Sequence, residues 1–272
     1  MSTPLIPCSA QVLSSNNAQT IGACLESLRC FAEVIVLDGN STDGTREIVQ
    51  KFPNVRLVNQ PAHLLNAQGH ITHFGDMRNV GVEASTYPWI FQLDSDEIAT
   101  EALVEEIGCI VQKNIPGVFR ASRRFVVNGE RIERCAGYPV YQHRLFHRSA
   151  SPGYGKSIHE RILLNPGVTL QTLQGEFLSP LPPPQELEAK YRRYLEMEVE
   201  RLGTLSWSQW CNWILFRNLR SALGLSVLVF LTWVTPGKGK RMPFLYDWQA
   251  VRHSLRTIVA TVPWRQKLKD KS

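Results

Sequence analysis

Two short acidic segments of this 272-residue chain carry residue types suited to a phosphorylated ligand. The first, Asp38-Gly39-Asn40-Ser41-Thr42-Asp43-Gly44, follows the β-branched run Glu33–Leu37. The second, Asp94-Ser95-Asp96-Glu97, follows the apolar run Trp89–Leu93. Ligands of open α/β sheets bind outside the carboxyl ends of strands, so acids at two strand ends can face one crevice. Asp94 and Asp96 can together hold a hard divalent ion, with phosphate oxygens and water filling its other positions. Such an ion neutralises a departing diphosphate. The plain alternative is a pair of solvated loop acids before a helix, because D-x-D alone is a weak motif. Asp38 can accept a hydrogen bond from a nucleobase N–H or a ribose hydroxyl, or serve only as a strand-end turn acid. Asp43 is assigned to helix capping, and Gly39 and Gly44 to a tight turn with close backbone approach.

The elements that position these acids follow from apolar periodicity. Gln11–Leu13, Glu33–Leu37, Val55–Val58 and Trp89–Leu93 read as strands; Ile21–Leu28, Thr45–Phe52 and a helix over 101–112 capped by Thr100 read as helices. Alternation of this kind implies βαβ crossovers and a mostly parallel sheet. After Pro116 the pattern changes: Val118–Val127, Val140–His147, Ile158–Leu164 and Val168–Leu173 read as strands between Gly/Pro turns, giving a mixed sheet. The class is therefore α/β, a Rossmann-like mixed central sheet flanked by helices. Residues 1–180 form that domain, and 185–272 a C-terminal helical, amphipathic region beginning with a helix over Gln185–Leu202. His63, His70 and His73 lie in the polar stretch Gln60–Gly75, read as a loop over the ligand pocket, with a metal site as the alternative.

Composition narrows the class. A hydrophobic content of 43% supports a packed core, which excludes intrinsic disorder as the main state. The six cysteines form no C-x-x-C pair and read as reduced core thiols of a cytosolic protein. Met1 to Leu13 has no basic segment followed by a long apolar run, so a secretory signal is not expected. The net charge of +6 is uneven: 11 Lys and Arg against two acids lie in Leu205–Ser272, giving +9 there and −3 in the remainder. That basic tail holds six of the seven tryptophans and the charge-free run Ala222–Val234. As a helix, 13 residues reach roughly 20 Å at ~1.5 Å each, short of a bilayer core of ~30 Å. The tail therefore reads as lying at a membrane surface, against the alternative of a second helical layer on the main domain. Nucleic acid is not expected as a partner, because the aliphatic run lacks the interleaved aromatic and polar groups of a single-strand platform.

The motifs in combination resemble a family 2 glycosyltransferase. Leu13-Ser14-Ser15-Asn16, Cys24-Leu25-Glu26-Ser27-Leu28, Val34–Thr45, Met77-Arg78-Asn79-Val80-Gly81 and Trp89–Glu97 agree in order and spacing over about the first 100 residues. Gly137-Tyr138-Pro139, Arg144-Leu145-Phe146 and Ile158-His159-Glu160-Arg161 are similar to the branch with lipopolysaccharide-core glucosyltransferases. The resemblance implies the GT-A fold and inverting transfer of a single sugar from a nucleotide-sugar donor to a lipid-linked or envelope-glycan acceptor. It implies that Ser14 and Asp38 serve the nucleotide, that Arg78 contacts nucleotide or diphosphate, and that Asp94 and Asp96 serve diphosphate and a divalent cation (Mg2+ or Mn2+). Inversion needs a general base. Glu160, with His159 to orient the acceptor, is the candidate; pairing of Glu160 with Arg161 or Arg144 is the structural alternative, and Glu97 a further base candidate. The implied location is the cytoplasmic face of the cell membrane, peripherally held.

The sequence departs from the family pattern in three places. Asn17 and Ala18 stand where an acid is usual, Val140 where an aspartate is common, and Glu176–Pro180 contains no histidine. These departures keep open a non-catalytic nucleotide- or glycan-binding module. A nucleotidyltransferase shares the strand-end carboxylates and metal, but the chain has no Gly-rich phosphate loop.

Overall fold

The computed structural model describes residues 4–66, 69, 71–155, 161–202 and 205–262. Two compact units divide the chain: residues 1–124 with 139–179, and residues 125–138 with 180–272.

In the first unit, apolar runs become the inner strands of one sheet. β1 (Ile6–Ser14), β2 (Phe31–Asp38), β3 (Val55–Asn59) and β4 (Trp89–Asp94) lie parallel in the order β3-β2-β1-β4. The crossovers carry α1 (Ile21–Ser27), α2 (Thr45–Val49) and α3 (Phe74–Ala84). β5 (Ile98–Ala99) and α4 (Glu101–Lys113) follow, and then β6 (Val118–Val127), β7 (Glu130–Arg131), β8 (Val140–His147), β9 (Tyr154–Gly155), β10 (Arg161–Ile162) and β11 (Leu170–Pro180). The sheet continues from β4 through β8, β6, β11 and β5, with the β4–β8, β6–β8 and β11–β5 pairs antiparallel. It is the mixed, Rossmann-like sheet flanked by helices that the sequence implied.

Register explains how the site is assembled. Ser14 pairs with Asp38, and Leu13 with Asp94, so three parallel strands end at one level. Cys8, Ala10 and Val12 of β1, Val34 and Val36 of β2 and Phe91 and Leu93 of β4 enter the core beside α1 and α4. Burial of such a set is the main force for folding, at about 25 cal/mol per Å² of apolar surface. α3 lies close on the sheet because Gly81 leaves room: a Cβ there would come within 2.9 Å of Gln11 and Leu37.

Several expectations need correction. Strand formation near Ile158–Leu164 is confined, among the described residues, to Arg161–Ile162, and the strand expected at Val168–Leu173 runs on to Pro180. The helix at Thr45 ends at Val49 rather than Phe52, where Pro53 follows. Gly44 (φ +91°) is its N-cap; Asp43 acts just outside, accepting hydrogen bonds from Thr45 N–H at 3.1 Å and Ala18 N–H at 3.0 Å. Among the described residues no disulfide forms; Cys8, Cys24 and Cys135 are buried, whereas Cys30 and Cys109 are exposed.

The second unit opens with a hairpin of sequence Val127-Asn128-Gly129-Glu130. Asn128 (φ 52°) and Gly129 (φ 78°) take the left-handed conformations of a two-residue turn, and Val126 and Val127 pair with Arg131 and Glu130. Val127, Ile132 and Cys135 pack on Met242, with Phe125, Tyr138, Leu181 and Tyr246 around them. These contacts place residues 125–138 in the second unit. Its helices are α5 (Pro184–Leu202), α6 (Trp207–Trp210), α7 (Phe216–Val234) and α8 (Phe244–Ala260). A π-helical stretch, Cys211–Leu215, joins α6 to α7. The continuous helix Trp207–Val234 has 28 residues, and an 18-residue stretch of it has a mean hydropathy of 1.6, long and apolar enough to cross a membrane by length and composition. The 13-residue run Ala222–Val234 is only its C-terminal part; Trp207–Ser221, with its interspersed polar residues, belongs to the same helix.

Candidate active site

The carboxyl ends of β1, β2 and β4 hold most of the residues singled out from the sequence. Asp38, at the end of β2, is fully enclosed. Its carboxylate accepts hydrogen bonds from Ser41 Oγ at 2.6 Å and Ser41 N–H at 3.1 Å, and Arg46 lies 3.4 Å away. Ser14, buried beside it, lies 3.4 Å from Asn17 Oδ1. The loops after β1 and β2 are stitched together: Asn16 N–H donates to Ser41 Oγ at 2.8 Å, Thr42 N–H to Asn16 Oδ1 at 2.9 Å, and Asn17 N–H to Thr45 Oγ1 at 2.9 Å. Gln60 anchors them from below, donating to the Ser14 and Leu37 carbonyls at 3.2 and 3.1 Å. The departure at Asn17 has a local use, since its side-chain oxygen accepts from Ser15 N–H at 2.9 Å.

The second wall is built on charge. Arg78 of α3 is buried and donates to Asp94 Oδ1 at 2.6 Å, while the Asp94 side chain keeps 36% of its surface exposed. Burial opposes ionisation, but the Arg78 guanidinium, with Arg144 behind it, holds Asp94 well below the usual carboxylate range. Asp96 lies two residues further along the same loop. Asn79, the residue after Arg78 on α3, clamps a different loop. Its Nδ2 donates to the Tyr154 carbonyl at 3.0 Å, and its Oδ1 accepts from Tyr154 N–H at 2.8 Å. Gly153 (φ +110°) is required there, because a Cβ would approach Asn79 Oδ1 to 2.5 Å. Arg78, Asn79 and Gly81 of one motif thus each meet a different strand or loop.

Behind Asp94 lies a cluster that sequence reading did not assemble. Glu97 and Arg144, each 1% exposed at the side chain, pair at 2.5 Å, and Arg123 reaches Glu97 at 3.2 Å. Glu97 Oε2 also accepts from Asp94 N–H at 3.1 Å, so the pair fixes the backbone of the acidic loop. Arg144 donates further to Gln142 Oε1 at 2.5 Å and lies 4.1 Å above the Phe177 ring. Burial pushes the Glu97 carboxyl up to about 7; Arg144 opposes this and Asp94 adds to it. Arg144, Arg123 and the Asp94 N–H occupy the Glu97 carboxylate. Its contacts make it the anchor of the loop. Among the described residues, Arg144 pairs with Glu97. The available signal was an arginine inside the apolar run Arg144-Leu145-Phe146, which demands a buried acid as partner. At the end of the last long strand, Glu176 accepts both an Arg124 Nε bond at 3.2 Å and a second bond from the same guanidinium.

Glu160 and His159 lie outside the described residues, as does His70. His73 is the N-cap of α3, with Nδ1 3.9 Å from Asp76, and His63 lies in a 3-10 turn, Ala62–Leu64. Among the described residues no three His, Cys, Asp or Glu side chains converge as a metal site.

Residues 9–131 match the model of glycosyl transferase family 2, a stretch containing both acidic segments and α3. The lipopolysaccharide core biosynthesis glycosyltransferase LpsC of Rhizobium meliloti is 30% identical over 106 residues, 38% of this chain and 36% of that protein. The glycosyltransferase SunS of Bacillus subtilis is 33% identical over 98 residues, 35% of this chain and 21% of that protein. The chain thus covers about a third or less of the length of these relatives. Among solved structures, S. aureus TarS 1-349 in complex with UDP-GlcNAc superposes with a TM-score of 0.45 at 14% identity, covering 95% of this chain and 91% of that one. Residues 9–131 are thus similar to a family 2 glycosyltransferase domain, the likeness to LpsC falls short of its full length, and the sheet that carries the match is mixed α/β.

Proposed function

We propose that this chain transfers one sugar from a nucleoside-diphosphate donor, with inversion, to a lipid-linked or envelope-glycan acceptor at a membrane surface. The observation that carries the reading is the buried Arg78 bound to the partly exposed Asp94 at 2.6 Å, with Asp96 close by on the same loop. A fixed cation beside two carboxylates suits a diphosphate, whose charge rises as it leaves. The donor set of Asp94 and Asp96 is hard and small. It fits an Mg2+ or Mn2+ ion that takes the rest of its shell from diphosphate and water, rather than an all-protein site. When bound, the ion neutralises the leaving diphosphate. Arg78 contacts the nucleotide or diphosphate and keeps Asp94 ionised and aimed. Ser14 and Asp38 line the nucleotide side, and an approach of base or ribose to Asp38 needs Ser41 to turn away.

In inverting transfer the acceptor oxygen attacks the anomeric carbon opposite the leaving diphosphate, and a base takes the hydroxyl proton. Glu160 is assigned that proton and His159 the orientation of the acceptor. Residues 1–180 act as the transferase domain and 185–272 as the membrane-associating region, peripheral on the cytoplasmic face. The second unit supports this with its apolar surface: Phe216, Leu223 and Phe230, seven residues apart on α7, are 62, 69 and 63% exposed. The likeness to LpsC points to an envelope glycan as the acceptor class.

A non-catalytic nucleotide- or glycan-binding module is the second reading, favoured by the enclosure of Asp38. Calorimetric titration with UDP-, GDP-, ADP- and dTDP-sugars, with and without Mn2+, tests the donor assignment. One donor is expected to bind with metal-dependent affinity, lost in Arg78→Ala. No binding of any nucleotide would overturn the transfer reading and leave only a glycan-binding module.

A further inference from the structure

The second unit holds a cavity of about 220 Å³ between α5 and α8, lined by none of the strand-end residues described above. Tyr191, Arg192 and Leu195 of α5 face Gln249, His253 and Arg256 of α8 across it. The Tyr191 and His253 rings pack at 5.2 Å and form one wall. Glu188, one turn before Arg192, accepts from Arg256 at 2.8 Å and lies 3.7 Å from Arg252. The hydrogen bond from Arg256, with the charges of Arg252 and Arg192, holds Glu188 below the usual carboxylate range. One carboxylate thus faces three guanidiniums, and the groove keeps an excess of positive charge.

The next stripe of α8 is apolar and uncovered. Leu255 and Val259 are exposed, three residues beyond Arg252 and Arg256 respectively. Exposed Phe244 and Leu245 open the same helix. A forked cationic cleft beside an apolar stripe matches a molecule that is a phosphate at one end and hydrocarbon at the other. Guanidiniums suit that end because their planar donors pair with two phosphate oxygens at once.

We propose that the α5–α8 cavity binds a phosphate group through Arg192 and Arg256, as an anionic phospholipid presents it or as a free phosphate ester does. The lipid source rests on the membrane reading above; the cavity itself does not. Arg192 is exposed on α5, so Arg192→Gln removes a charge without opening the core. Lys238→Gln, on the exposed segment between α7 and α8, is the control for general charge.

The full chain and both variants are titrated with glycerol phosphate and inorganic phosphate, and floated with vesicles of phosphatidylcholine alone or mixed with phosphatidylglycerol. Arg192→Gln is expected to weaken glycerol phosphate binding about tenfold, the scale of one charged hydrogen bond, with Lys238→Gln unchanged. If phosphatidylglycerol-dependent flotation falls in parallel, the source is lipid; if it does not, the cavity serves a soluble phosphate ester. No titration by the unaltered chain, or equal titration by Arg192→Gln, overturns the proposal. Failure to float with any vesicle overturns the membrane reading and leaves the titration result standing.

Discussion

The Glu97–Arg144 pair offers a quantitative test of how the acidic loop is held. Arg144→Met removes one partner and leaves Glu97 enclosed, with Arg123 at 3.2 Å and Asp94 N–H at 3.1 Å still in place. Breaking a buried pair from one side costs about 3–5 kcal/mol, and the surviving partners place this case near the lower end, at about 3. Glu97→Gln strands the Arg144 charge instead, though Gln142 Oε1 remains its acceptor, and costs a similar amount. The double variant removes both charges at once. It is expected to cost about as much as either single change, a coupling of about 2–3 kcal/mol. Native-state hydrogen exchange followed on peptides covering 89–97 and 140–147 reads this locally, without assuming that both units unfold together. Each single variant should speed exchange there on the order of 100-fold, and the double variant no further. Strictly additive effects, or unaltered exchange in Arg144→Met, would refute the idea that this pair fixes the Asp94 loop.

Other consequences are as direct. Gly81→Val should destabilise the fold by about 1–3 kcal/mol through overpacking against Gln11 and Leu37, read as a lower melting temperature. Gly108→Ala, whose Cβ meets Ile6 at an ordinary 3.5 Å, should hold or raise it. Asn79→Ala loses both bonds to the Tyr154 backbone and should cost about 1–3 kcal/mol, read as faster exchange at 150–155. An unaltered rate there would contradict the clamp. Phe230→Glu on the exposed face of α7 should reduce vesicle flotation several-fold while donor titration stays unchanged.

Much of the first unit was legible in the sequence because its strands are short apolar runs with clear ends. Val118–Val127 and Val140–His147 were located to the residue, and Thr100 caps α4 as expected, accepting from Leu103 N–H at 3.3 Å. The acids at strand ends were legible for the same reason, since register follows from parallel pairing. What the sequence hid was long-range charge pairing. Glu97 and Arg144 are 47 residues apart, and no local pattern assigns one to the other. The assignment of 125–138 to the second unit was hidden too, because its packing on Met242 and Tyr246 joins segments far apart in the chain. The length of the helix at Trp207–Val234 was underread because arginines and asparagines interrupt an otherwise apolar segment. α8 was masked in the same way by its alternation of charged and apolar residues.

Donor turnover tests the central claim most directly. The full chain in mild detergent, with the donor identified by titration and a crude envelope lipid extract as acceptor, is assayed for nucleoside-diphosphate release with and without Mn2+ or Mg2+. The account predicts metal-dependent release that Asp96→Asn abolishes, with weakened, metal-independent nucleotide binding left to Ser14 and Arg78. Release that persists in Asp96→Asn, or nucleotide binding with no release under any condition, would contradict it.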